Sequence, residues 1–205
     1  MSTYRPLARS FYLRSADEVA PDLLGRYLVR DLKGERLVLR IVETEAYLGA
    51  PDRASHAWGD RRTRRTEALF RRGGVAYVYF VYGLHFMFNV VTGGRADGSA
   101  VLVRAGEPAA GLETMSTLRG LGTAQRPGDV AGGPAKLCKA LAIDAGLNRV
   151  ALGRGALRVT RGVPLDAARI RRGPRVGIDY AGEAIDWPLR FCEAGNEHVS
   201  KPRLA

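Results

Sequence analysis

Residues 40–58 read Arg40-Ile41-Val42-Glu43-Thr44-Glu45-Ala46-Tyr47-Leu48-Gly49-Ala50-Pro51-Asp52-Arg53-Ala54-Ser55-His56-Ala57-Trp58. The apolar run Leu37–Val42 passes directly into acids. In an extended chain alternate side chains share a face, so Ile41, Glu43, Glu45 and Tyr47 are expected on one side and Val42, Thr44, Ala46 and Leu48 on the other. A strand that served only a core would stay apolar at alternate positions, because an ionised carboxylate there is costly unless it is paired or solvated. Two readings are open: a working site built on a rigid strand, or a strand end that reaches water with surface glutamates. Gly49-Ala50-Pro51-Asp52 breaks the strand, and the loop after it carries His56 and Trp58.

Upstream, residues 1–10 read as a basic arm, and Ser15 to Glu18 as a capping box opening a short helix that Pro21 interrupts and Gly25 closes. Tyr27–Leu32 and Arg36–Val42 flank Lys33-Gly34-Glu35 as a hairpin that delivers the two acids. Downstream, residues 61–72 hold six arginines in twelve positions. That density reads either as a phosphate-contacting segment, with Arg61, Arg62, Arg64 and Arg65 the candidates, or as charged surface.

The most aromatic stretch follows. Arms 75–81 and 86–91 flank Tyr82-Gly83-Leu84-His85, a hairpin with Tyr82 at its tip and Tyr77 and Tyr79 on one face. Tyr77 reads as core, whereas Tyr79 and Tyr82 could present stacking faces to nucleobases. Ala100–Ala105 reads as a strand holding Arg104, which either leaves for the surface or pairs with Glu43 or Glu45. Leu112–Leu118 is expected to be helical up to Gly120, and 122–133 to be loop. Pro134 starts a helix with Leu137, Cys138, Leu141 and Ala142 on one stripe. Its first turn, beside Lys136, suggests a phosphate seat. The remainder reads as strands with turns: 154–161, a helical turn at 165–170, 175–179, and a tail through Phe191.

The 32 Lys and Arg against 21 Asp and Glu give a net charge of +11, and only four of the cations are lysines. Such a surplus calls for an anionic partner, and arginine grips phosphate bidentately, although base composition of the genome explains an arginine bias equally well. Cys138 and Cys192 give neither a metal quartet nor a disulfide framework. No P-loop, dinucleotide fingerprint or zinc spacing is present, so no cofactor or metal is expected. No apolar run approaches a membrane span and the N-terminus lacks a signal peptide's apolar region, so a cytoplasmic, nucleoid-associated or nuclear location is expected.

The order of motifs resembles the alkyladenine (3-methyladenine or methylpurine) DNA glycosylase family. The resemblance rests on Leu-Leu-Gly at 23–25, Val-Glu-Thr-Glu-Ala-Tyr at 42–47, His56, Tyr-Val-Tyr-Phe-Val-Tyr-Gly at 77–83 with Asn89, Val-Leu-Val-Arg-Ala-Gly-Glu-Pro at 101–108, Gly-Leu-Glu-Thr-Met at 111–115, Gly-Pro-Ala-Lys-Leu-Cys at 133–138 and Pro-Leu-Arg-Phe at 188–191. It implies hydrolytic excision of damaged purines (3-methyladenine, 7-methylguanine, hypoxanthine, ethenoadenine) from double-stranded DNA, with the nucleotide flipped out of the duplex. Carried over by position, Glu45 matches the base that activates water, Arg104 the arginine that orients it, and the Val176 backbone carbonyl a third water-holding group. Tyr47 and Tyr79 match the walls of the base pocket, His56 a hydrogen-bonding group beside them, Asn89 a residue that disfavours guanine's exocyclic amine, and Tyr82 a wedge in the duplex. No Schiff-base lysine stands in the matching core, which implies a monofunctional enzyme without lyase activity. His85, Phe88, Ala135 and Cys192 depart from the family pattern, which bears on phosphate contacts and lesion range.

Two alternatives stand beside this reading. Glu43 and Glu45 would lie about 7 Å apart on one face, within the range of an inverting glycoside hydrolase, although the basic charge argues against a polysaccharide. A non-catalytic DNA-binding module explains the charge and the tyrosines and leaves the acids without a purpose. The expected architecture is a single α+β domain spanning 1–205, a curved, mainly antiparallel sheet surrounded by helices, acting as a monomer.

Overall fold

The turn Lys33-Gly34 sets the register of the first strand pair. Both residues are left-handed (φ 49° and 86°), the geometry of a two-residue hairpin whose twist matches its strands, and Leu32 faces Glu35 across it. The computed structural model describes residues 4–122 and 125–204. In chain order it contains α1 (Ala16–Leu23), β1 (Tyr27–Leu32), β2 (Glu35–Tyr47), β3 (Ala76–Val81), β4 (His85–Val91), β5 (Ala100–Ala110), α2 (Leu112–Arg119), α3 (Pro134–Ala140), β6 (Leu157–Thr160), β7 (Ile170–Gly173) and β8 (Arg190–Glu193). Among the described residues the strands form one eight-stranded sheet. Its order is β3-β4-β5-β2-β1-β6, with β8 paired to β2 and β7 to β8. Every pairing is antiparallel, so the α+β expectation holds.

The thirteen-residue β2 organises the sheet. β5 runs along one edge, while the other edge is shared by β1 against the first half and β8 against Glu43–Glu45. The acids therefore lie in the interior of the sheet and are fully buried; the reading of a strand end in water is excluded. Strict alternation also fails. Ile41 pairs with Gly106 and Glu43 with Ala105, leaving Val42 as an extra residue on β2, and Glu43–Ala105 is followed by Thr44–Val103, leaving Arg104 extra on β5. Such bulges re-aim side chains. Leu37, Leu39 and Ile41 face the main core, and past the bulge it is Ala46 that does so. Thr44 donates its hydroxyl to the Ala20 carbonyl of α1 at 2.8 Å, on the same side. Ile41 thus does not share a face with Glu43, Glu45 and Tyr47. Without the bulge, the phase that buries three aliphatics would bury two carboxylates beside them.

In the capping box, the Ser15 N–H and hydroxyl both donate to the Glu18 carboxylate, and Pro21 lies inside α1 without ending it. The arm is docked from Tyr4 onward: Leu7 N–H donates to the Val159 carbonyl, and Tyr4 packs edge-on against Tyr27. Residues 1–3 of the expected arm, and Thr123 and Ala124 of the expected 122–133 loop, lie outside the described residues. The α3 helix ends at Ala140, and Ala142 turns left-handed (φ 45°). Ile143, not Ala142, therefore joins Leu137, Cys138 and Leu141 in the core. The segment 175–179 is a loop, not a strand: Gly177 turns left-handed (φ 74°), and the Val176 N–H is given to the Glu45 carboxylate and not to a ladder. No helix among the described residues is long and apolar enough to cross a membrane.

Candidate active site

Glu45 sits beneath a cavity of about 200 Å³ lined by Tyr47, His56, Tyr77, Tyr79, Asn89, Arg104 and Val176, among others. Ligand sites for drug-sized molecules span roughly 300–1,000 Å³, so this one suits a single bicyclic base. The Glu45 carboxylate is held from three sides. The Val176 N–H donates to Oε1 at 2.8 Å, the Tyr47 hydroxyl donates to Oε2 at 2.9 Å, and Arg104 Nη1 lies 3.2 Å from Oε1. Glu45 itself is fully buried, and the three groups that hold it line the cavity. Burial opposes the positive charge of Arg104, and the carboxylates of Glu45 and Glu43 outweigh it, raising the guanidinium above its ordinary value. Burial, then the nearby Glu45 charge, raises the Tyr47 phenol, so that it remains a donor.

Glu43 has a different fate. Its Oε1 accepts from Arg104 Nε (2.9 Å), Arg190 Nε (2.8 Å) and the Ser200 hydroxyl (2.9 Å), and its Oε2 from the Ser200 N–H (2.7 Å). With both oxygens engaged by Arg104, Arg190 and Ser200, it ties the tail to the sheet.

The far wall is aromatic. Tyr77 and Tyr79 rings lie 5.2 Å apart and His56 packs 4.6 Å from Tyr79, while His56 Nδ1 hydrogen-bonds the Tyr77 hydroxyl at 2.9 Å. Burial, then the Arg65 and Arg61 charges, pushes His56 down to about 4, so it is neutral at pH 7. Burial pushes Tyr77 up to about 12. The Asn89 amide donates to the Tyr77 carbonyl at 3.2 Å, fixing its side chain at the cavity wall. At the mouth, Tyr82 is 83% exposed on a hairpin tip where both Tyr82 and Gly83 are left-handed (φ 55° and 66°). A tyrosine in that conformation is strained, and its ring stands out from the tip.

Behind Tyr47 lies a pair absent from the expectations. Arg175 and Asp52, both buried, form a bidentate ion pair (2.5 and 2.9 Å). Arg175 also donates to the Ala46 carbonyl and lies 4.7 Å from the centroid of the Tyr47 ring. Asp52 accepts the N–H groups of Leu48 and Ala54. The pair fastens the 174–180 loop, and with it the Val176 N–H, to the loop that ends β2. Arg175 stands between a proline and the matched Val176, but nothing local assigns it a partner 123 residues away.

The candidate phosphate contacts divide. Arg61 and Arg65 line a groove beside the cavity, whereas Arg62 and Arg64 line a separate depression with Glu67 and Arg149. Lys136 donates to the Gly128 carbonyl at 3.2 Å and lines another groove with Arg126, Lys201 and Arg203, joined to the cavity through Arg104 and Pro134. The seven-residue α3 is too short to make its N-terminus a strong anion seat by itself.

A family model described as methylpurine-DNA glycosylase (MPG) matches residues 10–197. A protein from Clostridium botulinum is 47% identical over 202 residues, covering 95% of this chain and 98% of its own. One from Myxococcus xanthus is 46% identical over 195 residues, covering 95% and 93%. Both bear the name "Putative 3-methyladenine DNA glycosylase".

Proposed function

Because the chain belongs to the methylpurine-DNA glycosylase family, we propose that it excises alkylated or deaminated purines from duplex DNA with water activated by Glu45. The coarse activity, hydrolysis of the N-glycosyl bond of methylated purines in DNA, is that of its family. The observation that carries the finer reading is the carboxylate of Glu45, fixed by Arg104, Val176 and Tyr47 under a base-sized cavity.

Purine departure leaves positive charge on the sugar. A buried carboxylate close to that carbon stabilises the charge and accepts a proton from the attacking water. Arg104, together with the Val176 N–H and the Tyr47 hydroxyl, aims Glu45. The Val176 carbonyl is assigned to the same water. Tyr47 and Tyr79 sandwich the flipped base, and His56, with Nδ1 engaged by Tyr77, offers Nε2 to the base or its sugar-phosphate. Asn89 stands where an exocyclic amine of guanine would meet the wall. Tyr82 fills the space left in the duplex, a wedge of the kind that partially unstacks base steps, and Arg61, Arg62, Arg64, Arg65 and Lys136 take phosphates. Water as nucleophile requires no amine, and no lysine lines the cavity among the described residues, which supports a monofunctional hydrolase. The commitment of all Glu43 oxygens weighs against a two-carboxylate glycoside hydrolase.

The test incubates wild type and Glu45→Gln with duplexes carrying one hypoxanthine, ethenoadenine or 7-methylguanine, alongside an undamaged duplex, and reveals abasic sites with alkali. Wild type should cleave a lesion strand, and the variant should be slower by about 10²–10⁴-fold. Survival of every lesion while the protein still binds duplex tightly would replace the enzyme by a binding module.

A further inference from the structure

A groove of about 430 Å³ adjoins the base cavity and shares Ser55, His56 and Tyr180 with it. It combines two features. Arg53, Arg61 and Arg65 supply three guanidinium groups, none with a carboxylate partner among the described residues, and the lining contains no acid. Two aromatic rings that a core would normally claim stand open there: Trp58 is 49% and Tyr180 69% exposed. Arg53 lies 5.0 Å from the centroid of the Trp58 ring and Arg65 5.0 Å from that of Tyr79, so the cations sit against π-faces. Tyr180 is held at the mouth by its hydroxyl on the Ala54 carbonyl (3.4 Å). Tyr82 lines the base cavity but not this groove.

We propose that this groove is a second nucleotide subsite: it binds the nucleotide next to the flipped one on the same strand, its phosphate on Arg61 and Arg65 and its base stacked on Trp58 and Tyr180. The inference rests on the proposed glycosylase activity. A phosphate alone needs neither ring, and an apolar ligand needs none of the three cations; a nucleotide uses both. Base–aromatic stacking is sequence-tolerant because every base has a π-face, so the subsite replaces the stacking the neighbour loses when the lesion leaves the duplex. It therefore operates without the complementary strand.

The experiment measures Kd of the Glu45→Gln protein for single-stranded and duplex oligonucleotides carrying one ethenoadenine, with the base deleted as a tetrahydrofuran residue immediately 5′ or immediately 3′ of it. Deletion on one side only should weaken binding by about tenfold, in both single strand and duplex. Trp58→Ala and Tyr180→Ala, each made in the Glu45→Gln background, should abolish that dependence on the neighbouring base, and Tyr180→Phe should keep it. Both rings are exposed, so the variants are expected to fold. Equal effects of deletion on the two sides, or the same one-sided effect persisting in both alanine variants, would overturn the subsite. Excision of the intact oligonucleotide by wild type reports the catalytic proposal separately. If excision is absent, that proposal fails, while the one-sided dependence of Kd still judges the groove.

Discussion

Glu43 and Glu45 stand two residues apart on β2 and are equally buried, yet their surroundings give them opposite work. Glu43 binds two arginines and both polar atoms offered by Ser200. Removing its charge leaves Arg190 buried without its counter-ion and Arg104 with Glu45 alone, a loss of about 3–5 kcal/mol for a broken buried pair. Glu43→Ala should therefore lower the urea midpoint sharply, whereas Glu45→Gln, which keeps shape and much of its hydrogen bonding, should cost excision far more than stability. His56 makes a prediction of pH. Its folded pKa of about 4 lies below the ordinary 6.5, so between these values the unfolded chain holds the proton more tightly. Stability then falls as pH drops from 6.5 towards 4, by on the order of 3 kcal/mol at most. Denaturant unfolding of wild type at pH 7 and 4.5 should show the loss, and His56→Gln should show less of it.

At the scale of elements, the site depends on loops with few anchors. The 174–180 loop has no strand pairing and is fastened by Arg175 on Asp52, Ala46 and Ala184. Asp52→Ala leaves Arg175 buried and unpaired. It is expected to destabilise by about 3–5 kcal/mol and to slow excision under conditions where the variant is still folded, because the Val176 N–H loses its place on Glu45. Measuring kcat at a temperature well below the variant's Tm separates the two effects; full activity there would remove the loop from the positioning of Glu45. The β3–β4 tip makes a second, independent test. Tyr82→Ala removes the exposed ring without touching the cavity floor. It should weaken excision from duplex by about tenfold or more, the scale of a stacked ring, and leave a single-stranded lesion nearly unaffected, since only the duplex has a gap to fill.

Across the molecule the +11 charge sets a dependence on salt. Removing one arginine that neutralises a phosphate should reduce the slope of log K against log salt by about 0.9 for duplex DNA. Arg61→Ala and Arg65→Ala, whose side chains line the groove beside the cavity, are expected to show that change. An unchanged slope in both would remove them from the phosphate track. We also propose that the described fold is one cooperative unit and a monomer, because one sheet, central on β2, links the first elements to the last. A single unfolding transition, coincident by fluorescence and circular dichroism, and a sedimentation mass near 22.3 kDa are the expected results.

Much of this was present in local sequence. Lys33-Gly34 fixes a hairpin through backbone conformation alone, Tyr82-Gly83 fixes another, and ordered motifs carry the family with Glu45, Arg104, Tyr47, Tyr79, His56 and Asn89. Those residues are legible because their chemistry and spacing lie within short segments. The tertiary structure decided what depends on partners far along the chain. It showed that Val42 and Arg104 bulge, so that the phase of β2 changes where core gives way to acids. It showed that Glu43 is consumed by Arg190 and Ser200, that Asp52 is paired with Arg175 across 123 residues, and that Trp58 and Tyr180 open on one groove. Alternation in a sequence specifies which side chains share a face only while the ladder is regular, and a buried charge declares its partner only when the chain has closed around it.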